Sequence, residues 1–341
     1  MKPQTTNNNR PSGSVVALKI KHLMAKLTLL LCLLQPISSV MAYAPESGHT
    51  VLFELAIDTF AQCFPNTITS EDSKARLLQG NVAMDKSLGW RLWDRLFVKH
   101  TNVFSFQTRA RNWHFIHSQR QHLAKVGVIN QSMSKLWELA QQGLQDNPDQ
   151  HDKLLFVGAI AHLLEDATVP AHIVPVYHGP TAIKHIGPNQ LAPLVRYMQQ
   201  NRPENKFAIH DQVDKYAIDK QSVQNAIDCE SISTSGQPLP ELLQRNEFYT
   251  RRLLQTPIPD CPEVSWQVFW SPPEADSYFG RYHIENDMPL FGQHGEIKDP
   301  ESQTSTCRLE KNDKRYREFL HKLHLQAVNA DIQLLLWFYN Q

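Results

Sequence analysis

Eleven residues, His162-Leu163-Leu164-Glu165-Asp166-Ala167-Thr168-Val169-Pro170-Ala171-His172, constrain this chain more than any others. They close an almost wholly apolar run, Leu154 to Leu164. A run this apolar, yet too short to span a membrane, predicts a helix buried in a globular core. On that helix His162 and Asp166 stand four apart and share a face, with β-carbons roughly 5–6 Å from each other. Pro170 is expected to end the helix and to bias Val169 out of the helical region. The turn can then swing His172 back toward the same point. A carboxylate buried between two imidazoles is costly unless something compensates it, and a divalent cation does so best. The plainer alternative is a polar network with the histidines bonded to backbone. A lone histidine fits that picture, whereas His-x3-Asp-x5-His on a buried helix points to metal.

The first 42 residues read as a secretory signal rather than as core. Lys19, Lys21 and Lys26 precede the apolar stretch Leu27 to Leu34, and small residues follow up to Ala42. A positive region, a short apolar region and small residues at a cleavage site define that signal, and Met24 offers a second start. Cleavage after Ala42 makes Tyr43 the new N-terminus. The chain is therefore expected to be secreted or periplasmic, with no transmembrane segment. Cysteine usage agrees: Cys63, Cys229, Cys261 and Cys307 are an even set suited to an oxidising compartment. Three pairings are possible. Cys261 with Cys307 is preferred because it closes a proline-rich stretch, and Cys63 with Cys229 follows by elimination. A four-cysteine zinc site is the alternative, but the chain has no Cys-x2-Cys pair to support it. The 34 basic and 34 acidic residues balance, so net charge gives no sign of a polyanionic partner.

Helical spacing predicts a helix over residues 50–63, with His49 at its mouth and Pro65 past its end. A second helix is expected to break at Gly80, leading into a segment that carries Asp85. His114 follows between Trp113 and Phe115. Residues 118–145 should form one or two helices, and Asn147-Pro148-Asp149 a turn before the buried helix. Prolines and glycines then interrupt the chain around His178 and His185. His210 and Asp214 repeat the His-x3-Asp spacing within a helix predicted over 207–216. Leu239 to Leu254 reads as amphipathic helix, and 256–313 as short strands or a long ordered loop. A last helix is expected over about 315–339. Neither a nucleotide-binding glycine loop nor a Gly-x-Ser-x-Gly elbow is present.

Taken in order, these motifs resemble the exported zinc-dependent phospholipase C family, which shares an all-helical fold with the zinc-dependent single-strand-specific nucleases of fungi and plants. The stretch from His49 to Asp58 looks more like the phospholipase branch. The resemblance implies an all-α, single multi-helix domain over 43–255, completed by a Pro/aromatic-rich excursion and C-terminal helix over 256–341. It also implies three zinc ions. One would be held by Asp85, His114, His162 and Asp166, and a second by His172, His210 and Asp214. The third would use the N-terminal Tyr43, His49 and a bridging Asp166. Asp85 would in addition orient the attacking water. Asp94 rivals Asp85 by position, and His178 and His185 rival His210. By the family pattern Glu165 is no ligand, so Glu165→Gln is expected to leave metal binding normal. The implied substrate is a phospholipid at a membrane surface, taken by a monomeric enzyme and split into diacylglycerol and a phosphorylated head group. Two other readings stand beside it: a single-strand nuclease, with the aromatics of 266–282 as base platforms, and a secreted protein that binds zinc without catalysis.

Overall fold

A computed structural model describes residues 48–65, 67, 70–84, 115–116, 133–174, 176, 213, 216–232, 238–272, 281–282, 289–298 and 305–341. The predicted signal peptide, Tyr43, Asp85, Asp94, His114, His178, His185, His210 and Asp214 lie outside the described residues. What is described is mostly helical, with small antiparallel sheets. The helices are α1 (His49–Cys63), α2 (Glu71–Ala83), α3 (Met133–Asp146), α4 (Gln150–Asp166), α5 (Pro170–Ile173), α6 (Lys220–Asn225), α7 (Leu239–Leu254) and α8 (Lys314–Tyr339).

Helix α4 is the centre of the core, since every residue from Leu154 to Asp166 is buried. Asp149 caps its N-terminus, its side chain accepting from the Asp152 N–H at 3.0 Å. Gly158 lets α2 approach closely: a β-carbon at that position would run into the Leu77 carbonyl oxygen. Gly80 does the same from the other side, where a β-carbon would meet the Leu155 carbonyl. The expectation that α2 breaks at Gly80 is therefore corrected. The helix runs on to Ala83, and the glycine is there for close approach, with Asn81 carried onto the buried face. Ion pairs fasten the outer edges, Lys74 to Asp58 at 2.6 Å and Arg76 to Asp152.

Pro170 departs from expectation too. Helix α4 already ends at Asp166, and Pro170 opens α5, where its missing N–H and fixed φ suit a first turn. The carbonyls stranded by this break are taken up by a polar stripe on α7. Asn246 Nδ2 donates to Leu164 O at 3.0 Å, Thr250 Oγ1 to Ala167 O at 2.9 Å, and Arg251 Nη2 to Ile173 O at 2.9 Å. Gln326 of α8 donates in turn to Asn246 Oδ1 at 2.7 Å. The bend that carries the motif is thus held by side chains from two later helices.

The region after α7 forms three two-stranded antiparallel pairs: β1 (Pro257–Ile258) with β2 (Cys261–Ser265), β3 (Trp270–Ser271) with β4 (Arg281–Tyr282), and β5 (Gly295–Lys298) with β6 (Ser305–Leu309). Asp260 takes a positive φ of 63° in the tight β1–β2 turn. Cys261–Cys307 joins β2 to β6, and Cys63–Cys229 joins the end of α1 to the turn after α6. Both disulfides match the preferred pairing, and they favour an oxidising compartment. Inside this region Trp266, Phe269, Trp270 and Phe291 pack on Tyr316 and Phe319 of α8, with Trp266 and Phe319 ring centres 4.5 Å apart. Among the described residues no helix is long and apolar enough to cross a membrane.

Candidate metal centre

The helix crossings bring α1 and α4 together at His49. Its ring stacks on that of His162, centroids 3.9 Å apart, and both are buried. Asp166, wholly buried, lies between their Nε2 atoms and uses a different oxygen toward each. His162 Nε2 is 3.3 Å from Oδ2, and His49 Nε2 is 3.5 Å from Oδ1. These separations exceed the usual N–H···O range of about 2.7–3.2 Å. They match two ligands on one tetrahedral cation, which with bonds of about 2.0–2.2 Å stand about 3.4 Å apart. Each nitrogen–oxygen pair so spaced fits one edge of a site for a first-row divalent ion.

Glu165 plays a different part. His49 Nδ1 makes a short hydrogen bond to Glu165 Oε2, which leaves Nε2 as the nitrogen aimed at Asp166. Asn81 Nδ2 donates to both Glu165 oxygens, at 3.2 and 3.1 Å. Behind it, the buried Asp331 of α8 meets the Glu165 carboxyl. Burial first, and the neighbouring charge of Asp331 second, push the Glu165 carboxyl well above the ordinary range, with the Asn81 hydrogen bond opposing. Burial likewise raises Asp331, opposed by its hydrogen bond to Glu165 and by His162.

His49, His162 and Glu165 each offer a ligand atom within 4.8 Å of the others, a group that could hold a metal ion. Glu165 also hydrogen-bonds His49 Nδ1, and Asp166 lies beside the group with its oxygens toward the two Nε2 atoms. His172 is buried at the start of the α5 bend, its carbonyl accepting from Ile116 N at 3.0 Å and its ring 5.4 Å from that of Phe115. Four nominated ligands are therefore placed: His49, His162 and Asp166 are brought together, and His172 is buried nearby in the chain. Sequence reasoning missed the support behind His49. One signal was available, because Asp331 stands among Ala327, Val328, Ile332 and Leu335 on the inward face of α8, where an acid is out of place.

Comparison with known proteins yields no match to a family model, to a curated protein or to a solved structure.

Proposed function

We propose that the chain is a secreted zinc-dependent phosphodiesterase, acting as a phospholipase C. One observation carries the reading: a buried carboxylate, Asp166, divides its two oxygens between two imidazoles at ligand rather than hydrogen-bond spacing. Imidazole with carboxylate suits Zn²⁺ over Mg²⁺. His49, His162 and Asp166 would hold zinc, joined by Tyr43, Asp85, His114, His172, His210 and Asp214 on the resemblance to the phospholipase family. Clustered zinc would activate a water for attack at phosphorus and offset charge on the phosphoryl oxygens. Asp166 would link two of the sites, and Asp85 would orient the water. The protein's own contribution is rigidity, because the α7 stripe and the glycine crossings fix the ligands before substrate arrives.

The nuclease reading asks for aromatic platforms on a basic groove. Among the described residues Trp266, Phe269, Trp270 and Tyr282 are buried, where no base can stack on them, while Tyr278 and Phe279 lie outside the described residues. The charges of the chain balance as well. The deciding assay sets zinc-loaded mature protein against phosphatidylcholine and single-stranded DNA. Release of a phosphorylated head group and diacylglycerol, with the DNA left intact, is expected. DNA cleavage without lipid turnover would overturn the phospholipase reading in favour of the nuclease.

A further inference from the structure

Helix α7 has two distinct faces. Its buried face carries Asn246 and Thr250, which hold the carbonyls of the α4–α5 break. Its outer face carries Arg245, Phe248 and Arg252, all exposed. At about 100° per residue these three fall within roughly 60° of one another, on one stripe. Phe248 is 60% exposed, and no other large hydrophobic side chain is exposed among the described residues. The Arg252 guanidinium sits over its ring, 5.7 Å from the centroid. A single exposed aromatic is ordinary on a protein surface. Its cationic neighbours are harder to explain. Arg251 is tied to Glu247 and to Ile173 O, whereas no ion pair joins Arg245 or Arg252 to a carboxylate among the described residues. Even Glu241, one turn before Arg245, forms none. The helix C-terminus favours a cation at Arg252, but its field fades within the last turn and leaves Arg245 unexplained.

We propose that this stripe docks the protein on an anionic lipid surface, with Phe248 seated at the boundary of headgroups and acyl chains and the two arginines on lipid phosphates. The proposal rests on the phospholipase reading for the identity of the surface, and it deepens that reading. A bilayer suits the stripe better than a protein partner does. A stable protein interface buries about 800 Å² on each side, and one ring with two guanidiniums covers far less. A bilayer asks for no matched shape, and basic and apolar groups add to binding one by one. Guanidiniums without a carboxylate are also free to take phosphate. Docking would anchor the helix that braces the bend between His162 and His172.

Sedimentation with vesicles tests this in brief incubations, using phosphatidylcholine alone or mixed equally with phosphatidylglycerol. Hydrolysis of a short-chain phosphatidylcholine, kept monomeric, is measured alongside. Wild-type protein should pellet with the anionic vesicles and leave them at high salt. Binding should fall about fivefold in Arg245→Gln and in Arg252→Gln, and about tenfold in Phe248→Ala. Turnover of the monomeric lipid should stay at the wild-type rate, and the variants should melt with the wild type because all three side chains are exposed. Undiminished binding when Arg245→Glu is combined with Arg252→Glu would overturn the proposal, as would wild-type protein that stays in the supernatant. A wild-type dimer that Phe248→Ala dissociates would overturn it too, because the stripe would then belong to a second copy. If the monomeric lipid is not hydrolysed, the phospholipase reading fails, and sedimentation still decides the docking surface.

Discussion

The wall made by α1, α2, α4 and α8 and the stapled region from Pro257 to Leu309 are both well buried, but by opposite chemistry. The wall encloses His49, Asn81, His162, Glu165, Asp166 and Asp331 among its leucines and isoleucines. The stapled region encloses Trp266, Phe269, Trp270 and Phe291 and is tied across by Cys261–Cys307. Aromatic packing and a disulfide reward burial directly. Buried imidazoles and carboxyls do so only when paired or when they hold a cation. The difference separates a part that burial alone stabilises from a part that burial alone does not.

Opening the staple strikes the stability side hardest. Cys261→Ser with Cys307→Ser releases a loop with a sequence separation of 46. In the chain-entropy model this costs about 4 kcal/mol. Denaturant melts should show that loss while bound zinc per folded chain stays unchanged. A parallel loss of zinc would mean that the two regions are not separable.

A smaller effect sits on α8, two turns before Asp331. Burial, with a minor contribution from His321, pushes His324 down to about 4 from its ordinary 6.5. Between those values the unfolded chain binds a proton that the folded chain refuses, so stability falls as pH drops from about 6.5 toward 4. A shift of that size corresponds to at most roughly 3 kcal/mol. The Glu165–Asp331 pair works the other way, its raised carboxyls favouring the folded state on acidification. Wild type minus His324→Gln across the pH series isolates the histidine. A difference that stays flat from pH 7 to 4 would show that His324 is not held neutral.

Much of this division could be read before the fold was known. Apolar periodicity sufficed for α1, α4, α7 and α8, with α7 starting and ending where expected. The spacing of four between His162 and Asp166 was enough to place them on one face, because helix geometry is local. What the sequence hid was tertiary. Gly80 looks like a helix end until Leu155 is seen beside it, and Pro170 looks like a stop until it is seen opening α5. Glu165 looked idle because its partner His49 lies 116 residues away in the chain. Its contact with His49 makes the zinc affinity of Glu165→Gln the measurement that decides the expectation of normal binding.

If the polar centre of the wall is a zinc site bridged by Asp166, elemental analysis will find the metal there. Wild type and Asp166→Asn would be expressed with ample zinc, purified with disulfides intact and analysed side by side. Two to three zinc ions per wild-type chain are expected, consistent with clustered ions on a shared carboxylate, and loss of most of them in Asp166→Asn. Less than one zinc per wild-type chain, or equal zinc in the two proteins, would contradict it.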